Sequence, residues 1–129
     1  MPKVLYIEDE PDIAELVRRW LEEDGEHTML HAKDGTAGLE LAKRESPDLI
    51  LLDIYLGEFS LEGWEVNRRL KEDPATRAIP VIVVSGHAWS QEHRQRALNE
   101  GFVDHLGKPF HYDRLLERVN THARNERDQ

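Results

Sequence analysis

The sequence contains no cysteine among its 129 residues, which excludes disulfides and thiolate metal sites. Positive charge is also scarce: 17 Lys and Arg residues stand against 26 Asp and Glu residues, and the formal net charge is −9. This balance argues against a general nucleic-acid or membrane binder, since both need positive potential. No apolar run approaches the roughly 20 residues that span a membrane, and no signal peptide is recognised before the first strand-like segment. We therefore expect one cytoplasmic domain.

Apolar segments of strand length alternate with helical patterns along the chain. Strands are predicted at residues 3–7, 27–32, 48–53, 79–84 and 102–107, and helices at 11–24, 35–44, 63–72, 89–100 and 112–123. The alternation predicts an α/β fold, in which helices cover both faces of a five-stranded parallel sheet. The pattern does not give the strand order. The domain is expected to fill residues 1–124, and residues 125–129 form a polar tail.

The helical spacing also predicts which side chains face inward. In the first helix the apolar stripe includes Leu16, in the second Ala37 and Leu41, and in the fourth Ala97 and Leu98. The fourth helix is otherwise polar, and we expect it to be the most weakly packed.

Four of the predicted strands end in groups that carry chemistry. The first ends in Glu8-Asp9, and the others end in Asp53, Ser85 and Lys108. Since the carboxyl ends of parallel strands share one rim of the sheet, we expect these groups to lie together. Singly they have ordinary explanations as helix caps, turn residues or solvated charges. Their occurrence together favours a site.

The chemistry of this set is that of phosphoryl transfer. Crowded carboxylates need a cation, and hard oxygen ligands favour Mg²⁺. Lys108 adds an ammonium and Ser85 a hydroxyl, both able to stabilise a phosphoryl group. Asp is a competent phosphoryl acceptor.

At this point the sequence resembles the receiver domains of bacterial two-component response regulators, of the standalone chemotaxis-regulator type. The resemblance lies in four ordered segments that together cover nearly the whole chain: VLYIEDEP at 4–11, PDLILLD at 47–53, PVIVVSG at 80–86 and LGKPF at 106–110. It implies a flavodoxin-like doubly wound (βα)5 fold with strand order 2-1-3-4-5. It also implies a phosphorelay, in which Asp53 takes a phosphoryl group from a sensor histidine kinase or a histidine phosphotransfer protein.

The resemblance also assigns roles to individual residues. Asp9, Asp53 and the backbone carbonyl of Tyr55 would bind Mg²⁺, with Glu8 acting through water. The phosphoryl group would be bound by Ser85, Gly86 and Lys108, and the Lys108–Pro109 peptide would be cis. Ser85 and His105 would form the switch pair, and Tyr55 and His87 would control dephosphorylation. An output surface would lie on the fourth helix, fifth strand and fifth helix, and would include Trp89, Leu98, His105, Tyr112 and Arg118.

This sequence departs from the family pattern at three places. Its acidic pair is Glu8-Asp9, where two Asp residues are commoner. The loop after Asp53 is about two residues longer than usual and has Gly57 where Pro is common. His105 stands at the switch position, which is usually Tyr or Phe.

Three classes of function are compatible with these residues. The favoured one is a phosphorylated signalling switch that catalyses only its own phosphorylation and dephosphorylation, acting through a homodimer or a partner protein without binding nucleic acid or membrane directly. The second is an Asp-nucleophile Mg²⁺-dependent phosphatase, for which the chain has no room for a substrate cap. The third is a docking receiver independent of phosphorylation, but such domains usually lack part of the acid–Asp–Lys set. A flavin carrier is disfavoured because Glu8-Asp9-Glu10 would repel the cofactor phosphate.

Overall fold

The computed structural model of the chain describes residues 2–57, 61–86 and 90–123. Five strands alternate with five helices. The strands are β1 (Lys3–Ile7), β2 (Thr28–Ala32), β3 (Leu49–Asp53), β4 (Val81–Ser85) and β5 (Asp104–Gly107), and the helices are α1 (Pro11–Arg19), α2 (Gly35–Glu45), α3 (Gly63–Glu72), α4 (Gln91–Asn99) and α5 (Tyr112–Ala123). Helix α1 continues into a π-helical turn, Trp20–Asp24. The polar tail at 125–129 lies outside the described residues.

The strands form one parallel sheet in the order β2-β1-β3-β4-β5. The predicted α/β class and the strand order implied by the resemblance are both confirmed. The register pairs Ile7 with Leu52 and Asp53 with Val84, which brings the carboxyl ends of the central strands to one rim. Both β3 and β4 are buried along their whole length, as their uninterrupted apolar sequences predict.

The alternation of side chains along β1 divides the core between the two faces of the sheet. Val4 and Tyr6 pack with α1 and α5 on one face, whereas Leu5 and Ile7 pack with α2 and α3 on the other. Residues that are two apart on β1 therefore share a face, and β1 carries Glu8 immediately beyond Ile7.

In α2 the predicted inward residues Ala37 and Leu41 are half-buried and pack against the core, while Gly35, Gly38 and Ala42 are fully buried. Gly38 lets the backbone of α2 approach Ile7 closely: a Cβ at Gly38 would lie 2.5 Å from the Ile7 Cδ1 atom.

Two leucines of the predicted apolar stripes, Leu16 and Leu98, are instead exposed. Leu16 is 40% exposed because the buried stripe of α1 runs through Ala14 and Val17, and Leu98 is 63% exposed although its neighbour Ala97 is buried. Ala97 is therefore the one buried residue of helix α4, which agrees with its weak packing pattern. No helix in the described part of the chain combines the length and apolar character that crossing a membrane requires.

Candidate functional site

Asp53 lies at the centre of the rim, where the buried strand β3 ends. The residue is only 4% exposed. Its Oδ1 atom accepts a hydrogen bond from the Tyr55 main-chain N–H at 3.0 Å, and its Oδ2 atom contacts the Lys108 Nζ atom at 2.6 Å. Such donors replace the hydrogen bonds to water that a buried carboxylate loses. Its two oxygens are thus oriented from the β3–α3 loop and from the end of β5.

Lys108 joins the carboxylates of two strands. Its Nζ atom lies 2.6 Å from Asp53 Oδ2 and 2.7 Å from Glu8 Oε1, and its main-chain N–H donates to the Ser85 carbonyl at 2.8 Å. Burial lowers the pKa of Lys108, but hydrogen bonds and charge attraction from Asp53 and Glu8 outweigh it and raise the pKa above its usual value. The ammonium therefore remains charged. The Lys108–Pro109 peptide bond is cis.

Glu8 is fully buried, and internal donors bind both of its oxygens. Oε1 accepts from the Tyr6 hydroxyl at 2.8 Å in addition to Lys108, and Oε2 accepts from the Glu10 main-chain N–H at 3.2 Å. Burial, followed by the charge of Glu8 and the hydrogen bond to it, raises the pKa of Tyr6 far above its usual range. The hydroxyl is therefore a permanent donor to Glu8.

The acidic segment after β1 has the composition of a magnesium site. Carboxylate oxygens of Glu8, Asp9 and Glu10 lie within 4.8 Å of one another. Desolvation, together with the carboxylate of Glu8, raises the pKa of Asp9. Crowded anionic oxygens with raised proton affinity fit a hard divalent cation such as Mg²⁺. Gly57, in the left-handed region with φ +100°, approaches from the β3–α3 loop, and a Cβ on it would lie 3.7 Å from Asp9 Oδ2.

The remaining groups of the predicted site lie on the β4 side of the rim. Ser85 is fully buried at the end of β4 and pairs in register with Gly107, next to Lys108. Gly86 is exposed, and a Cβ added to it would meet nothing within 4 Å. Tyr55 is 64% exposed. His87 and Trp89 lie outside the described residues.

The predicted switch and output residues divide between two surfaces. His105 is held through its backbone: its N–H donates to Asp104 Oδ1 at 2.8 Å, and its carbonyl accepts from Arg118 at 2.7 Å. His105 and Arg118 line a groove of about 510 Å³ between α4 and α5. Arg94 and Arg114 also line this groove and make it basic. Tyr112 instead packs edge-on against Trp20, at a centroid distance of 5.4 Å, on the side of α1.

Three residues of the site were not found from sequence. Tyr6 was predicted only as part of the first strand, although its position two residues before Glu8 on one strand face was a usable signal. Glu10, which joins the acidic cluster, was visible in the sequence as the third of three consecutive acids. Gly63 gave no signal: its N–H donates to the Ile54 carbonyl, and a Cβ there would lie 2.7 Å from the Asp53 carbonyl oxygen.

Comparisons with known proteins agree with this geometry. Residues 4–120 match the family model described as the response regulator receiver domain. The DNA-binding dual master transcriptional regulator RpaA of Synechocystis is 37% identical over 121 residues, covering 94% of this chain and 48% of RpaA. The chain therefore spans about half the length of that relative.

Two solved structures illustrate the likeness. The receiver domain of the Francisella response regulator 1452 is 31% identical, with a TM-score of 0.86 and complete coverage of both chains. The receiver domain of sensor histidine kinase PA1611 from Pseudomonas aeruginosa has a magnesium ion coordinated in its active-site cleft. It is 24% identical, covers 95% of this chain and 97% of its own, and shares the fold with a TM-score of 0.82. With a family model that spans most of its length and a matching fold, the chain belongs to the response regulator receiver domains of two-component signalling.

Proposed function

We propose that Asp53 accepts a phosphoryl group from a phosphohistidine of a sensor histidine kinase or a histidine phosphotransfer protein. The observation that carries the proposal is the contact between Asp53 and Lys108. It places a nearly buried carboxylate against a permanent cation at the carboxyl end of a central strand. Receiver domains are signalling modules rather than classical enzymes, and we assign to this one only its own phosphorylation and dephosphorylation.

The proposed transfer is a single displacement at phosphorus. A carboxylate oxygen of Asp53 forms a bond to phosphorus while the phosphorus–nitrogen bond to the donor histidine breaks, and the electron pair returns to the imidazole ring. Asp9, Asp53 and the Tyr55 carbonyl would hold Mg²⁺, with Glu8 acting on its water, and the bound ion would neutralise charge on the phosphoryl oxygens. Lys108 would stabilise the same oxygens, with Ser85 and Gly86 beside it.

The proposed output is a change in the surface formed by α4, β5 and α5. Ser85 precedes the segment that leads into α4, and α4 has one buried anchor. Weakly packed elements are the ones that move in switches. A Ser85 hydroxyl drawn to the phosphoryl group would displace this segment, and His105 on β5 would reorient with it. We expect a second copy of the chain or a partner protein to bind the groove that Arg118 lines, together with the exposed side chain of Leu98.

Intact mass spectrometry tests the proposal. Incubation with acetyl phosphate and Mg²⁺ should add one phosphoryl group to the wild-type chain, and omission of Mg²⁺ should greatly slow the addition. Asp53→Asn should add none at a comparable rate. Asp113→Asn, which changes an exposed Asp in the first turn of α5, is the matched control and should behave as wild type. Phosphorylation of Asp53→Asn at the wild-type rate would refute the assignment.

A further inference from the structure

Tyr6 connects the two polypeptide segments that meet at Lys108. Its hydroxyl donates to Glu8 Oε1 at 2.8 Å, and its ring packs edge-on against Phe110 at a centroid distance of 6.2 Å. Phe110 is two residues beyond Lys108. One fully buried side chain therefore contacts both the acidic partner of the lysine and the loop that carries the lysine.

The hydroxyl of Tyr6 determines how Glu8 uses its two oxygens. Oε1 already receives two donors, Tyr6 and Lys108. Oε2 is consequently the oxygen on the side of the Glu10 main chain, within the acidic cluster. A glutamate has one more rotatable bond than an aspartate, so this arrangement needs an anchor that an aspartate would not need.

We propose that Tyr6 is a positioning residue, whose hydroxyl fixes the orientation of the Glu8 carboxylate. One oxygen of Glu8 then binds Lys108, and the other binds the cation or a water molecule on the cation. Tyr6 touches neither the phosphoryl group nor the metal and acts through Glu8. Partners that orient metal-site carboxylates commonly affect metal affinity 10- to 100-fold. This inference rests on the proposed Mg²⁺ site, but its test does not require phosphorylation.

The test is a calorimetric Mg²⁺ titration of Tyr6→Phe, which retains the ring contact with Phe110 and removes only the hydroxyl. We expect about tenfold weaker Mg²⁺ binding. Tyr112→Phe is the matched control, because it removes a tyrosine hydroxyl from the α1 side of α5 and should bind Mg²⁺ as wild type does. Circular dichroism and urea unfolding establish that each variant is folded.

A double-mutant cycle separates positioning from a general structural effect. Glu8→Asp shortens the side chain by one methylene and withdraws the carboxylate from the Tyr6 hydroxyl. In that background Tyr6→Phe should change the affinity less than twofold, because the partner through which it acts is already displaced. Wild-type Mg²⁺ affinity in Tyr6→Phe, or an equal loss in both backgrounds, would overturn the inference.

The same variants keep this inference distinct from the proposed function. If wild-type protein binds Mg²⁺ but gains no phosphoryl group, the proposed function fails and the role of Tyr6 is still measured. If wild-type protein is phosphorylated and Tyr6→Phe matches it in Mg²⁺ affinity, the inference about Tyr6 is refuted and the proposed function stands.

Discussion

At the scale of single residues, the site depends on carboxylates that are buried and balanced by one lysine. Lys108 lies within 2.7 Å of Glu8 and Asp53, and removal of one member of such a buried set leaves an uncompensated charge that costs roughly 3–5 kcal/mol. The most conservative tests therefore change neighbours of the set. Tyr55 and His105 are two such neighbours, and each permits a specific prediction.

Tyr55→Ala should shorten the lifetime of the phosphorylated form several-fold. The position is two residues beyond Asp53, and its main-chain N–H binds the Asp53 carboxylate, so we expect its large ring to hinder the approach of water to the phosphoryl group. Alanine retains the main-chain bond and removes the ring. The measurement is the decay of the phosphorylated mass after the phosphodonor is removed. An unchanged decay would mean that the ring points away, as its 64% exposure also permits.

Protonation of His105 should make stability depend on pH. Burial first, and then the positive charges of Arg94 and Arg118, lower the pKa of His105, while Asp104 opposes them. Below about pH 6.5 the unfolded chain therefore binds a proton that the folded chain resists. The stabilisation is complete above that pH and is lost as pH falls through the folded pKa.

His105→Gln isolates this contribution. The free energy of unfolding, measured by urea titration between pH 7.5 and 5, should fall less steeply in His105→Gln than in wild type. Equal slopes in His105→Gln and wild type would contradict the prediction.

At the scale of elements, local patterns predicted which segments form strands and helices, but not how closely they approach. The five strands and the acidic, Asp, Ser and Lys groups at their ends follow from runs of apolar residues and the parallel topology. The close approach of α2 to the sheet does not, because it depends on the space that Gly38 leaves for Ile7. The hydrogen bond from Tyr6 to Glu8 likewise depends on the full burial of both residues.

Gly63→Ala should disturb the site from the start of α3. The loop after Asp53 returns so closely that a Cβ at Gly63 would lie 2.6 Å from Ile54 Cα and 2.7 Å from the Asp53 carbonyl oxygen. Backbone atoms cannot move aside as readily as a flexible side chain can, so we expect a loss of about 1–3 kcal/mol in the free energy of unfolding. Phosphorylation of Asp53 should slow as well.

The control for this change is another glycine. A Cβ at Gly107 would meet nothing within 4 Å, so Gly107→Ala should have nearly wild-type stability. Chemical denaturation and the rate of phosphoryl gain are the two measurements. A Gly63→Ala variant as stable and as reactive as Gly107→Ala would show that the loop relaxes without cost.

At the scale of the whole molecule, the surface of α4, β5 and α5 differs in charge from the rest of the chain, which is acidic overall. The formal net charge is −9, yet Arg94, Arg114 and Arg118 line one groove. Beside it a smaller apolar groove includes the exposed side chains of Leu98 and Val103. An exposed apolar patch with a charged rim is typical of an interaction site. A surface of this composition supports association through both apolar contact and charge.

We predict that a phosphoryl mimic such as beryllofluoride with Mg²⁺ shifts the chain from monomer to dimer through this surface, measured by sedimentation. Leu98→Glu should abolish the shift, because it places a carboxylate at the exposed apolar position of α4. Leu16→Glu is the matched control, since Leu16 is an exposed leucine on α1, which lies on the face of the sheet opposite α4, and should leave the shift intact. Loss of the shift in both variants, or in neither, would place the contact elsewhere. A wild-type chain that stays monomeric with the mimic bound would contradict self-association and leave a partner protein as the receiver of the signal.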